Sequence, residues 1–221
     1  MENLGSAFTF PFHQKEWGLK LFLGSLFLLL GIVGLGIPVV CGYMVRVCQR
    51  VMKGEEEKLP EWSDVGVLFV TGVKYVVVLL IHQLPILLLM IPLFSLVTVG
   101  AMVDLSGTPA VLLAFYVVGL VFVCVPYTIL FVLLLPVITY RFALRERLVD
   151  GLDISSVFKD FLRQWPTATL FAIAAVIVKA LAGLGILLFV VGILPTLLYS
   201  LLVFAALSGF LYRGLPAEAA A

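Results

Sequence analysis

The chain has 221 residues, of which 63% are hydrophobic and only 12% charged, with a net charge of +1. Soluble domains carry roughly 25% charged residues, so the composition excludes a soluble globular domain and points to a polytopic membrane protein. A net charge this close to zero gives no reason to expect a nucleic-acid partner. The expected partners are the lipid bilayer and other membrane-protein subunits.

The stretch Met1 to Gln14 has no basic n-region, and no small-residue cleavage site follows the next apolar run, so it does not read as a cleavable signal peptide. Phe8, Phe10, Phe12 and Trp17 are expected at headgroup level, where a ring keeps its face dry and its edge wet. A helix needs roughly 20 apolar residues to cross a hydrocarbon core of about 30 Å. The first run that long is Leu19 to about Met44, with Gly31, Gly34, Gly36 and Pro38 marking a bend or a close helix contact. It makes one span if it crosses once, and two short halves if it folds back at Gly34-Leu35-Gly36.

A charged island follows, from Gly42 to Lys74. Within it Ser63 is placed to cap a helix whose apolar face is Val65, Leu68 and Phe69, diluted by Gly66 and Gly72 and continuing through Gly72 toward the second span. The second run is Val73 to Val103, with Pro85 and Pro92, and the third is Pro109 to Tyr140, with Pro126 and Pro136. A second island, Arg141 to Trp165, contains a strongly amphipathic stretch. Val157, Phe158, Phe161, Leu162 and Trp165 form its apolar face, with Lys159, Asp160, Arg163 and Gln164 opposite. Such a helix lies on a membrane with its basic edge toward anionic lipid. Ser155 could cap it, and Pro166 suits the start of the next span. Two final runs, Thr167 to Ala182 and Ile186 to Tyr212, are separated by Gly183-Leu184-Gly185. The expected fold is therefore an all-α integral membrane protein. It has about five transmembrane helices, six if the first run is a hairpin, and two cytoplasmic interfacial amphipathic helices.

Lysine and arginine placement sets orientation. Eleven of the fourteen basic residues fall in the two islands or at Arg213, and none in the loops Asp104 to Thr108 and Gly183 to Gly185. Both islands and the C-terminus are then cytoplasmic in a cell-membrane protein, and the N-terminus is outside. Lys15 and Lys20 oppose that last assignment; if they prevail, the first run must be a hairpin. The islands also match each other: Ile37-Pro38-Val39-Val40 with Leu135-Pro136-Val137-Ile138, and Arg50-Val51-Met52-Lys53-Gly54 with Arg147-Leu148-Val149-Asp150-Gly151. Residues 1–221 then form one transmembrane domain, with an internal duplication as a possible plan: units 15–103 and 109–184 in parallel orientation, and a final span 186–212.

Gly42-Tyr43-x-x-Arg46, Gly54, Leu59-Pro60-Glu61-Trp62-x-Asp64, Phe69 and Gly72-x-Lys74 together resemble the signature of a prokaryotic membrane-protein family, the domain of unknown function 4013. Tyr140 to Trp165 and Gly192, Pro195, Tyr199 and Gly209 to Tyr212 extend the resemblance over most of residues 15–213. It implies a multi-pass membrane protein and supplies no catalytic residues.

Little chemistry is visible. Cys41, Cys48 and Cys124 form no CxxC pair and read as small apolar fillers. Ionisable residues inside a bilayer are functional candidates by default. His82, beside Gln83 in the second run, could ligate a haem or a chlorophyll-type pigment, relay a proton, or hydrogen-bond a neighbouring helix; a lone histidine favours the last. Lys179 can snorkel to the outer headgroups. Glu55-Glu56-Glu57, Glu61 and Asp64 lack the spacing of a calcium loop and read as solvated charge. Arg141, Arg145, Arg147, Lys159 and Arg163, with Trp62 and Trp165, are the candidates for lipid or partner contact. Ala168/Ala172 and Ala205/Gly209 favour close helix packing. No Ser/His/Asp set, HExxH, Walker loop or GxGxxG occurs, so no catalytic site, metal site or cofactor is expected. The expected function is a non-enzymatic accessory or scaffold subunit. A carrier for a lipid or apolar solute comes second, and pigment or haem binding at His82 third.

Overall fold

The computed structural model describes residues 2–12, 15–55, 59–102, 107–183 and 189–215. The acidic run at Glu56-Glu57, Lys58, Asp104 and the turn at Leu184-Gly185 lie outside them, as do residues 216–221. Among the described residues the fold is all helix: α1 (Glu2–Thr9), α2 (Trp17–Leu30), α3 (Gly36–Met52), α4 (Val65–Met102), α5 (Thr108–Arg145), α6 (Leu148–Leu152), α7 (Ile154–Arg163), α8 (Trp165–Gly183) and α9 (Phe189–Arg213). Four stretches are long and apolar enough to cross a membrane: Val65–Thr98, Ala110–Arg145, Trp165–Gly183 and Gly192–Arg213. A fifth results if Gly5–Phe12 and Trp17–Val33 form one bent span.

The first apolar run does not cross as one helix. A 3-10 turn at Gly31–Val33 ends α2, and Gly34 takes a left-handed conformation, φ 84°, before α3 begins. Only glycine adopts that geometry without steric cost, and it is a common helix terminator. Two residues later, a Cβ on Gly36 would lie 1.7 Å from the Phe27 carbonyl oxygen, so the returning chain needs a bare backbone there. The halves, 14 and 17 residues, are about 21 and 25 Å long, each short of the core. One indole shows that they fold back on each other: Trp62 stacks on Tyr43 of α3 and on Phe27 of α2, and its Nε1 donates to the Lys20 carbonyl at 3.0 Å. The start of the first run therefore lies level with the first island.

Two compact units result: Met1–Val78 with Leu133–Ala221, and Leu79–Val132. In the first, α9 is the central post, packed against α1, α2, α3 and α8. Small residues sit among its buried leucines and phenylalanines: Ala205, Ala206 and Ser208 are fully buried, and a Cβ on Gly209 would meet Val51 at 2.7 Å. Ala168 and Ala172 on α8 are buried likewise. Thr196 Oγ1 donates to the Ala182 carbonyl at 3.0 Å, joining α8 to α9 where lipid offers no alternative donor. Phe10 is core rather than interfacial, whereas Phe12 stays partly exposed against Trp17 and Tyr199. Tyr199 donates its hydroxyl to the Phe8 carbonyl at 3.0 Å.

A close backbone crossing joins α3 to α4. A Cβ on Gly42 would sit 1.9 Å from the Leu68 oxygen, and one on Gly72 would sit 1.7 Å from the Pro38 oxygen. Backbone meets backbone at both points, which is what small residues at a membrane helix contact permit. Among the described residues the first island has no interfacial helix separate from α4. Asp64, not Ser63, precedes the helix, with φ 55° and its carbonyl accepting from Val67 and Leu68. From Val65 the chain runs directly into the 38-residue α4.

The second unit is a pair of apolar helix segments joined by tyrosine hydroxyls. Tyr116 donates to the Leu89 carbonyl at 2.6 Å, and Tyr127 donates to the His82 carbonyl. Pro85 and Pro92, both inside α4, remove the donors that Ile81 and Leu88 carbonyls would otherwise meet. Each tyrosine addresses the next carbonyl along.

Replacing Gly72 with Leu is expected to lower stability by about 3 kcal/mol, because backbone on both sides leaves the new side chain nowhere to go. Gly119→Leu, where nothing lies within 4 Å of the new Cβ, is expected to be neutral or to stabilise by up to about 1 kcal/mol. Thermal unfolding of both variants in one detergent checks the contrast.

Candidate functional site at the charged islands

The polar side chains of the first unit gather where the islands leave the apolar runs. At the first island Lys20 of α2 is 5% exposed, and its ammonium donates to the Leu59 carbonyl at 2.9 Å and to Glu61 Oε1 at 2.6 Å. A buried cation is tolerated only with such partners. Tyr43 adds a bond from its hydroxyl to the Pro60 carbonyl at 2.9 Å, and its ring lies on Trp62 at 3.8 Å with an interplanar angle of 4°. Glu61 is thus a structural anion rather than loop charge alone, and Trp62 is an internal clamp rather than a membrane anchor.

Beside this clamp, α3 turns a basic face outward. Arg46, Arg50 and Lys53 recur at helical spacing and line a cleft of about 340 Å³ with Gln49, Glu55 and Ser63. Its lining is polar and mixed in charge.

The second island is tied in by carboxylates. Glu146 ends α5 at φ 52°. It accepts from Gln49 Nε2 at 3.0 Å and from Thr71 Oγ1 at 2.8 Å, linking α3, α4 and α5. Gln49 also donates to the Ala143 carbonyl at 2.8 Å. Asp160 accepts from the Tyr140 hydroxyl at 2.9 Å and from Arg141 at 2.5 Å. It therefore faces inward, 6% exposed, instead of joining the outer polar face. The reason is geometric: a helix lying against the unit needs one buried side, and Val157 and Asp160 occupy it. Ile154, Phe158, Leu162 and Trp165 remain exposed as an apolar edge, with Lys159 and Arg163 also outward. This is the disposition of an interfacial helix. Asp153, not Ser155, caps α7 by accepting from the Ser156 amide at 3.2 Å.

The candidate residues therefore separate. Arg145, Arg147, Lys159, Arg163 and Trp165 are exposed at the second island. Arg141 is committed to Asp160. His82 lies in the other unit, its ring 6.2 Å from Phe131. No group of three His, Cys, Asp or Glu side chains able to hold a metal occurs among the described residues. Lys179 Nζ sits 5.8 Å above the Phe204 ring, a cation–π contact from the apolar flank of α8. The sequence marks Tyr43 and Tyr140 only as part of the family resemblance, not as the two hydroxyls that pin the islands. A signal was present: their separation equals that of Arg50 from Arg147 and of Gly54 from Gly151.

Asp160→Asn keeps an acceptor for Tyr140 but strips Arg141 of its counter-charge, and is expected to cost about 3 kcal/mol. Arg163, 54% exposed and 4.0 Å from Asp160, is expected to lose at most about 1 kcal/mol on mutation to Gln; denaturation in detergent compares the two. Hydrogen bonds from Ser156, side chain first and backbone second, hold the exposed Asp153 carboxyl below the ordinary carboxylate range. The cap is then complete above that range and is lost as pH falls through the lowered value. Carbon-13 NMR should show this low titration, and Ser156→Ala should move it back up.

A family model described as a protein of unknown function, DUF4013, matches residues 25–194. No curated protein and no solved structure matches the chain. The family match takes in both islands and well over half of the sequence: the chain belongs to the DUF4013 family of proteins of unknown function.

Proposed function

We propose that this protein is a non-enzymatic accessory or scaffold subunit of a complex in the cell membrane, with both islands and the Arg213 end of α9 on the cytoplasmic side. One observation carries the reading. In the most apolar stretches of α4 and α5 only 6% of residues are buried, against 61% in α9. Those stretches of α4 and α5 thus bury little of their own surface, whereas the island-side ends of the same helices are packed, with Leu68, Tyr75, Ile138 and Phe142 fully buried. Phe94, Phe115 and Phe122 are each more than 70% exposed. Their surface suits the transmembrane helices of a partner subunit, which pack on such a face through shape and dispersion. The exposed basic edge of the second island would support the same complex at the membrane surface.

A photo-crosslinking residue placed at Phe115 or Phe122 tests this in native membranes. The expected result is one discrete protein adduct from those positions and none from Ile173 on α8. Adducts to lipid alone, or the same adducts from all three positions, would sink the proposal.

The second reading is a carrier for a lipid or apolar solute. It draws on an apolar cleft of about 370 Å³ lined by Phe27, Val39, Val65 and Phe69. Substrate-dependent flux in proteoliposomes would favour it over the scaffold reading.

A further inference from the structure

The island-side ends of α3, α5 and α9 border a cleft of about 520 Å³, with Gln49, Met52, Lys53, Leu144, Glu146 and Tyr212 in its lining. Small-molecule sites usually measure about 300–1,000 Å³. Among the described lining residues two are charged, Lys53 and Glu146, and their signs are opposite. They do not pair with each other, and the Lys53 ammonium makes no ion pair or hydrogen bond with any described residue. Glu146 accepts from two neutral donors, Gln49 Nε2 at 3.0 Å and Thr71 Oγ1 at 2.8 Å, so its charge has no counter-ion among the described residues. An ionised carboxylate has lone pairs to spare beyond those bonds. Both bonds of Gln49 leave from Nε2, which keeps its amide oxygen as a further acceptor. The Tyr212 ring lies 5.7 Å from that of Tyr140, and its hydroxyl is not bonded to any described residue. Glu146 also holds a left-handed backbone, φ 52°, which a residue with a side chain keeps only where its surroundings fix it.

We propose that this cleft binds the phosphoethanolamine headgroup of a phospholipid, its ammonium at Glu146 and Gln49 and its phosphate at Lys53 and Tyr212. The pair of separated, opposite charges selects a zwitterion. A plain anion would meet Glu146 as a like charge, and a plain cation would meet Lys53 as one, which costs either of them binding energy. A primary ammonium suits the acceptor side because it carries several N–H donors, whereas a trimethylated one carries none. The placement selects a lipid over the free headgroup. The apolar stretches of α5 and α9 end at Arg145 and Arg213, so the cleft lies where headgroups meet the chain. Leu144, 41% exposed, and Met52 give the first methylenes of the lipid an apolar wall.

Native mass spectrometry of the full chain, released from nanodiscs of mixed phosphatidylethanolamine, phosphatidylglycerol and phosphatidylcholine, tests the proposal. A one-to-one phosphatidylethanolamine adduct is expected, at least about tenfold more abundant than either of the others. Dimethylated phosphatidylethanolamine, with the same charge and fewer donors, should bind between the ethanolamine and choline lipids; this probes the Glu146 side without altering the fold. Lys53→Glu probes the other side. Lys53 is exposed and its side chain bonds to no described residue, so the variant should fold while the adduct falls at least about tenfold. Equal adducts with the ethanolamine and choline lipids would overturn the proposal, as would an adduct indifferent to Lys53→Glu. Displacement of the lipid by millimolar free phosphoethanolamine would overturn it too, because the apolar wall would then contribute nothing.

Discussion

The ammonium of Lys20, withdrawn from water between the Leu59 carbonyl and Glu61, constrains the first third of the chain. A lysine placed there must meet its partners or leave the interior, so α2 has to bring its start to the island that follows α3. That requirement turns an apolar run long enough to cross the membrane into a helical hairpin. The aromatic stack of Phe27, Trp62 and Tyr43 then links the two halves beside the ion pair, whose Glu61 end stays exposed. Glycine permits the rest, with Gly34 making the turn, Gly36 the return and Gly42 the contact on α4.

The second island repeats the principle with the signs reversed. There an acid is buried, Asp160, and a tyrosine and an arginine from the end of α5 come to it. In both islands a buried tyrosine hydroxyl holds the segment that follows it: Tyr43 on Pro60 and Tyr140 on Asp160. Polar groups at the end of a membrane helix are costly when unpaired and informative when paired, and each pair fixes where the chain may leave the apolar layer. The exposed residues of α7 are left to meet the bilayer surface.

Much of the fold was legible in advance, because a bilayer allows few solutions. Long apolar stretches become helices, as in α4, α5, α8 and α9, since every backbone group must be satisfied internally. The amphipathic pattern of residues 157–165 announced α7, and the small residues of α8 and α9 announced their packed faces. The side-chain partnerships were not legible. Periodicity assigned Asp160 to the outer face because it reads polarity and not pairing. Trp62 looked like a membrane anchor because an interfacial tryptophan and a stacked one have the same flanks in sequence. Glu146, whose two oxygens connect three helices, had no local signature.

What the sequence determined alone was the solvent of the protein: hydropathy dictates membrane helices, and the clustering of lysine and arginine marks one end of the bundle. The tertiary structure decided the path of the first run and the fate of the charges around it. The same apolar Leu19–Met44 stretch can be read as one long helix or as two short ones, the second at the cost of unpaired backbone groups at the break. Only contacts with residues dozens of positions away, Lys20 with Glu61 and Gly42 with Leu68, separate those alternatives. Such contacts are long-range pairings of polar groups and bare backbone, and no local pattern encodes them.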